Sequence, residues 1–378
     1  MICIGKDVAS GTPVAVEFGE TIEQVRPAEG PVAPYLTPGF IDLQVNGYVG
    51  VDFCSPTTPV EEIGRACRFL YSTGVTRWYP TVITGSPEDM AGALRNLARA
   101  KETLPEGPAM DGFHVEGPYI SPEEGPRGAH PERWCRPPDF DEFQRFQEAA
   151  RGNIRLLTMS PEWPGSPAFI EKVAATGVVV SIGHTKATTQ QLADAVSAGA
   201  SMSTHLGNGA HTMLRRHPNY IWDQLADDRL TAGFIADGIH VPAAFLKAAI
   251  RAKGVERCFV VTDASTPAGC PPGRYALGEQ LVDLNEEDCV MLAGQDRLAG
   301  SALRMDKGVE NLMRLAELSL ADAVRLATVN AARAGNVPGR KQGLAPGDRA
   351  DFVLFRLEDG RVVVESTWIG GRRVYGEH

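Results

Sequence analysis

The run VVVSIGHT, residues 178–185, is apolar, rich in β-branched residues, and stops on a histidine, His184. Such a run reads as a strand buried on both faces, as the strands of a parallel sheet are. Three more runs share its plan. FHVEGPY (113–119) carries Glu116, STHLGNG (203–209) carries His205 and CFVVTDAS (258–265) carries Asp263. The four polar residues stand 68, 21 and 58 positions apart, far too wide for a local metal loop such as a zinc finger. The spacing suits a fold that gathers strand ends around one site. A (β/α)8 TIM barrel does so, because its reactive groups sit at the C-terminal ends of different strands.

Outward from these runs, the chain alternates strand and helix between residue 38 and about 341. Eight strand candidates can be read: GFIDLQV, VTRWYPTV, GFHVEG, IRLLTMS, VVVSIGH, SMSTHL, LTAGFIAD and CFVVTDA. Helices are expected over 60–72, 87–102, 140–151, 189–198 and 242–253, with two more near 307–316 and 320–334. Ser319 followed by Asp322 resembles a capping box opening the last of them. The first 37 residues and the last stretch hold short β segments instead, punctuated by Gly and Pro. Neither end is long enough to fold alone. The expected organisation is therefore an α/β chain in which 1–37 and 342–378 form a small β-sandwich domain and 38–341 an inserted barrel. A doubly wound sheet is the runner-up, but its Gly-rich first turn is missing, since GFIDLQVNGYVG does not space its glycines as GxGxxG.

Composition excludes some partners. The net charge is −10, with no lysine- or arginine-rich run, so nucleic acid is not an expected partner. Seven scattered cysteines without a CxxC pair argue against a disulfide framework and against a structural zinc site. The start, MICIGKDVASG, lacks the pattern of a signal peptide, and no apolar run reaches the roughly 18 residues of a membrane helix. A cytoplasmic enzyme with no membrane contact is the expectation.

Glu116, His184 and His205 offer one oxygen and two nitrogens, a set suited to catalytic Zn²⁺ or a similar divalent ion with a position left open for water. Such an ion lowers the pKa of bound water towards ~7 and polarises a substrate oxygen. Any one of the three alone reads equally well as a buried polar residue satisfied by hydrogen bonds. Three at the strand ends of one barrel favour a metal centre and a metal-dependent hydrolase. Asp263 can relay a proton between water and a leaving group, although an aspartate before a loop also serves as a helix cap. His130, in PRGAHPE, can polarise a substrate carbonyl. On the residues alone, a surface loop histidine is the plainer reading. His240 follows the seventh strand and could contact a sugar hydroxyl. His211, His217, Arg215 and Arg216 could recognise an anion such as phosphate, or form a solvated charged loop.

The segments PGFID, HVEGPY, GAHP, GHTKAT, THLGNG, IADGIHV, VTDASTPAG, LAGSALRM and ATVNAARA, in this order, resemble the N-acetylglucosamine-6-phosphate deacetylase family of the amidohydrolase superfamily. The likeness runs from PGFIDLQVNG to LAPGDRADFVLF. It implies metal ligation by Glu116, His184 and His205, Asp263 as catalytic acid/base, and His130 as the carbonyl-polarising group. It implies substrate contacts from Ala129, Asn208, Gly209, His240 and the turn Leu298, Ala299, Gly300. Arg216 falls where the family places a phosphate-contacting arginine. It also implies a homodimer and release of acetate from an acetylated amino sugar.

Three departures accompany the resemblance. Where most of the superfamily carries His-x-His for a second metal, this chain has Gln44-Val45-Asn46, so one tightly bound ion is expected. Zinc is the first choice, with iron or another divalent metal also suited, and Gln44 is left to hydrogen-bond the nucleophilic water or the substrate. Gly207 and Gly209 stand where the family commonly has an aromatic residue and an alanine. PNYIWDQL replaces a glycine-rich stretch. The last two touch the substrate side and leave the sugar and its 6-phosphate open. Two alternatives stay beside the deacetylase: an amidohydrolase acting on another N-acyl or cyclic amide, and a barrel that binds without catalysis.

Overall fold

The computed structural model describes residues 1–30, 34–340 and 343–376. The expected domain boundary at 341/342 and the chain end at 378 lie outside them. Eight parallel strands stand side by side in sequence order: Phe40–Val45, Val75–Ile83, Phe113–Glu116, Ile154–Met159, Val179–Ile182, Ala200–Ser203, Thr231–Ile235 and Cys258–Val261. These match the eight runs read from the sequence. The sheet nearly closes on itself. At the seam, the Asp263 amide donates to the Gln44 carbonyl (3.0 Å) and the Asn46 amide to that of Ala264 (2.7 Å). Asp42 seals the same seam from within. Its carboxyl accepts from the Thr262 hydroxyl (2.6 Å) and from the Thr262 and Gln44 amides (3.2 and 3.3 Å). Burial pushes the Asp42 carboxyl up to about 7, against the pull of those bonds.

Apolar side chains from successive strands, among them Ile41, Tyr79, Leu156, Val179, Met202, Ile235 and Phe259, form one buried cluster. The barrel is thus a packed core with a reactive end rather than a pore. Helices Val60–Ser72, Pro87–Thr103, Phe140–Ala149, Thr189–Ser197, Ala243–Lys253 and Met305–Leu315 lie where the sequence pattern expects them, within two residues at each end. The expected helix over 320–334 is two, Leu320–Leu326 and Val329–Ala334. They part at Thr328, whose hydroxyl bonds back to the Val324 carbonyl (2.7 Å) while its backbone leaves helical geometry (φ −131°, ψ −92°). Ser319 caps the first of the pair, accepting from the Asp322 amide (3.1 Å).

Two further helices, Ser166–Ala175 and Tyr220–Ala226, had no clear periodic signal. The second is short and rich in aromatic residues. It forms because the Asn219 side chain accepts from two of its first amides (3.2 Å each). A small antiparallel sheet, Gly273–Leu277, Gln280–Leu284 and Val290–Leu292, follows the eighth barrel strand and was not anticipated either. Its turn reaches across the barrel mouth, where the Gln280 amide bonds the Ala129 carbonyl and Gly278 N–H donates to Asp52 (2.7 Å).

Strands from both chain ends share one seven-stranded sheet, in which Tyr35–Pro38 lies between Ile2–Asp7 and Phe352–Glu358. Phe18 meets Phe352 and Trp368 edge-on, at centroid distances of 4.9 and 5.5 Å. The small β domain expected from the two chain ends is thus present, its strands hydrogen-bonded into one sheet that carries an apolar cluster of Val14, Val16, Phe18, Leu36 and Phe352. Among the described residues no helix is long and apolar enough to cross a membrane.

The barrel and this sheet are clamped by buried charge. Arg77, on the second barrel strand, donates to Asp351 (2.7 Å) and pairs with Asp111 (3.2 Å). Asp351 is fully buried and also takes Arg349 (2.7 Å) and the Gly370 amide (2.9 Å). Replacing Asp351 with Ala strands the Arg77 guanidinium without its main counter-charge. We expect a loss of about 3–5 kcal/mol, read as a lower denaturation midpoint. A loss under about 1 kcal/mol would mean that the clamp is dispensable.

Candidate active site

Three of the four strand-end residues hold backbone conformations that L-residues avoid: φ is +50° at His184, +27° at His205 and +49° at Asp263. Such conformations cost about 1–3 kcal/mol each and persist where surrounding structure enforces them. Here each turns a strand end so that its side chain faces the barrel mouth. The fourth residue, Glu116, keeps the strand and gives the left-handed step to Gly117 (φ +87°). A Cβ on Gly117 would fall 2.1 Å from the Thr84 hydroxyl, so glycine also lets that hydroxyl come close.

The side chains converge. Glu116 Oε1 lies 3.0 Å from His205 Nε2 and 3.2 Å from His184 Nε2, and the two nitrogens are 3.2 Å apart. Ligands at ~2.0–2.1 Å around a tetrahedral ion are separated by roughly 3.3 Å, so the three atoms fit the face of such a site. Tautomer agrees with spacing. The Pro126 carbonyl accepts from His184 Nδ1 (2.9 Å), which fixes the proton there and leaves the Nε2 lone pair pointing inward. Burial alone would raise the Glu116 carboxyl, but with protons on the inward Nε2 atoms, in place of a cation, bonds and charge from His184 and His205 hold it well below the ordinary range. Burial opposes charge on His205 too, yet the Glu116 bond and charge raise its pKa. A divalent cation would replace that shared proton. His130 also brings a ring nitrogen within 4.8 Å of ligand atoms of Glu116 and His184. Its Nδ1 is engaged by the Thr84 hydroxyl (2.9 Å), and its ring lies beside that of His184 (4.4 Å), so His205 is the better third ligand.

Asp263 closes the other side. Gln44 and Asn46 both donate to Asp263 Oδ1 (3.1 and 2.6 Å), and Gln44 also donates to Glu116 Oε1 (2.9 Å). Both amides thus point at one oxygen and leave Oδ2 for other work. Burial, and then the Glu116 charge, push the Asp263 carboxyl up to about 6. His130 is buried, and burial with the neighbouring His184 charge holds its pKa down to about 3, so it presents a neutral ring. The buried loop histidine is therefore part of the site, against the plainer reading of its sequence.

A cavity of about 650 Å³ opens above these groups. Of the candidates read from the sequence, Glu116, His130, His184, His205, Asp263, Ala129, Asn208, Gly209, His240, Leu298 and Gly300 line it. Ala299 is fully buried behind its neighbours, and Gln44 lies beneath the cavity, bonded as described. Arg216 is exposed and outside the lining. The two glycine departures have a local cause. At Gly209 (φ +55°) a Cβ would sit 2.7 Å from His184 Nδ1, and at Gly207 (φ +105°) 2.8 Å from the Phe245 ring.

The sequence reading missed Thr84 behind His130, Asp237 behind His240 (2.6 Å), and the rim residues Glu124 and Arg297. Asp237 stands three residues before His240 in IADGIH, a signal that could have found it. Nothing comparable marked the others.

A parallel barrel with a carboxylate, two imidazoles and a second acid at four strand ends is the layout of a metal-dependent barrel hydrolase. Residues 35–374 match the Amidohydrolase family. The human N-acetylglucosamine-6-phosphate deacetylase is 36% identical over 350 residues, covering 90% of this chain and 83% of that one. An Escherichia coli O157:H7 N-acetylgalactosamine-6-phosphate deacetylase is 32% identical over 366 residues, covering 97% and 93%. Among solved structures, a mutant N-acetyl-D-glucosamine-6-phosphate deacetylase from Mycobacterium smegmatis, in complex with N-acetyl-D-glucosamine-6-phosphate, superposes with a TM-score of 0.90 at 31% identity and covers 99% of each chain. The chain belongs to the amidohydrolase family and, within it, to that of the N-acetylglucosamine-6-phosphate deacetylases.

The Gln44 and Asn46 side-chain amides, at the positions where the sequence lacks a His-x-His pair, are committed to Glu116 and Asp263. Metal analysis of the purified protein should find close to one tightly held ion per chain, falling below about a tenth in Glu116→Gln. Two tightly held ions, or full retention in the variant, would contradict this assignment.

Proposed function

We propose that the enzyme removes the acetyl group of an N-acetylated amino-sugar phosphate, with N-acetylglucosamine 6-phosphate as first substrate and acetate and the free amine as products. The single observation that carries this reading is the convergence of Glu116, His184 and His205 within 3.2 Å, with Asp263 and His130 facing the same cavity. Glu116, His184 and His205 would hold the divalent ion, zinc in the first instance. When bound, it supplies Lewis-acid polarisation of the carbonyl and makes a water acidic enough to attack near neutral pH.

The chain's own residues do the rest. His130, kept neutral by burial, donates from the ring nitrogen not engaged by Thr84 to the carbonyl oxygen as negative charge builds on it. Asp263 takes a proton from the attacking water on Oδ2, while Gln44 and Asn46 steady Oδ1. The same carboxyl then delivers that proton to the departing nitrogen as the C–N bond breaks. Water and amide are consumed, and carboxylate and amine leave. Asn208, Gly209, His240 and the Leu298–Gly300 turn, whose outer residues line the cavity, contact the sugar and acetyl groups.

Three further readings go with this one. The catalytic domain is 38–341, and 1–37 with 342–378 form the supporting one. The working unit is a homodimer, supported by the exposed Met213 and Trp222 beside the loop that bears Arg216. The enzyme is cytoplasmic, supported by seven cysteines that are all free thiols.

The test is acetate release by the Zn²⁺-loaded protein from N-acetylglucosamine 6-phosphate, N-acetylgalactosamine 6-phosphate and the unphosphorylated sugars. Turnover of a phosphorylated sugar supports the reading. Activity confined to acyl amino acids or cyclic amides would replace it. Asp263→Asn should cut kcat by about 10²–10⁴-fold with the metal still bound, and full activity in that variant would overturn the proton path.

A further inference from the structure

A neutral imidazole carries one proton, so His130 can donate to a carbonyl from Nε2 only when its Nδ1 is bare. Which nitrogen holds the proton depends on the hydrogen bond that the other makes. For His130 that partner is Thr84, the first residue beyond the second barrel strand, whose buried hydroxyl lies 2.9 Å from Nδ1. A hydroxyl also has a single proton to give, which leaves two arrangements. In one, Thr84 donates to Nδ1 and the ring keeps its proton on Nε2. In the other, Nδ1 donates to Thr84, and the hydroxyl must place its own proton elsewhere. Among the described residues its other contact is the Glu116 carbonyl at 3.4 Å. That is beyond the roughly 2.5–3.0 Å usual for an O–H donor. The distances favour the first arrangement.

The chain around this bond holds both partners still. Any Cβ on Gly117 would collide with the Thr84 hydroxyl, so position 117 carries no side chain while the hydroxyl stays where it is. Two residues after Thr84, the Ser86 side chain accepts from the Asp89 amide (3.0 Å) and caps the next helix. Thr84 is thus pinned between a strand end and a helix start. Arg127 donates to the His130 carbonyl (2.8 Å), which fixes the backbone of His130 and leaves its ring to Thr84. A ring turned by half would put a carbon where Nδ1 stands and lose the bond. We propose that Thr84 is a positioning residue: by donating to Nδ1 it fixes His130 as the Nε2–H tautomer and aims that N–H at the substrate carbonyl. Thr84 does not line the cavity, so it acts through His130. The proposal rests on the deacetylase reading above.

Two measurements test it. The first is nitrogen NMR of the zinc-loaded protein carrying isotope-labelled histidine, with His130→Gln assigning the signal. His130 should be protonated on Nε2 and bare on Nδ1. A proton on Nδ1 would overturn the inference, whatever the enzyme turns over. The second is turnover of N-acetylglucosamine 6-phosphate by Thr84→Val, which keeps the side-chain shape without the hydroxyl, and by Thr84→Ser, which restores it. Thr84→Val should lower kcat at least about tenfold, with KM within about twofold of wild type and metal content unchanged. Thr84→Ser should recover kcat to within about threefold of wild type. Thr84→Val performing as well as Thr84→Ser, or losing its metal, would make Thr84 a packing residue and overturn the inference. If wild type deacetylates no amino sugar, the deacetylase reading falls alone, and the histidine spectrum still decides the role of Thr84.

Discussion

Bringing a carboxylate oxygen and two imidazole nitrogens within 3.2 Å of each other, all buried, is the demand around which this molecule is arranged. Such atoms repel unless a proton or a cation sits among them. Burial sharpens both the repulsion and the attraction, because the low dielectric screens neither. The barrel meets the demand by drawing the three groups from different strands and fixing each with its own backbone. The left-handed turns at His184, His205 and Asp263 are local costs that the closed sheet enforces.

The surrounding polar groups follow from the same constraint. Pro126 sets the proton of His184, and Gln44 bridges Glu116 to Asp263. Asn46 completes the hold on Asp263, while Asp42 and Thr262 keep the seam between first and eighth strands closed. Remove the seam, and the amides of Gln44 and Asn46 no longer face the Asp263 carboxylate. The site is thus a property of barrel closure as much as of its own residues. The terminal sheet contributes at a distance, through the buried Arg77–Asp351 contact to the second strand.

Much of this was legible in the sequence because buried parallel strands leave a strong signal. Runs such as GFIDLQV and VVVSIGH need apolar residues on both faces, and a polar residue at their C-terminal end stands out. His130 was legible only through the family motif, because a histidine in a Gly/Pro-rich loop looks the same whether it faces water or substrate. The helix Tyr220–Ala226 was hidden because an Asn cap, not periodicity, makes it form. The small sheet over the mouth was hidden because its strands are short and partly exposed. Thr84 and Arg297 act through contacts across 46 and 169 positions, which no local pattern reports.

The central claim is that one divalent ion sits on Glu116, His184 and His205, with His130 and Asp263 left free to act on the substrate. Anomalous diffraction from crystals of the zinc-loaded protein tests it most directly. The account predicts a single peak, about 2.0–2.2 Å from Glu116 Oε1 and from both Nε2 atoms, with His130 still on Thr84. A peak ligated by His130 in place of His205, or a second peak between Gln44 and Asn46, would contradict it.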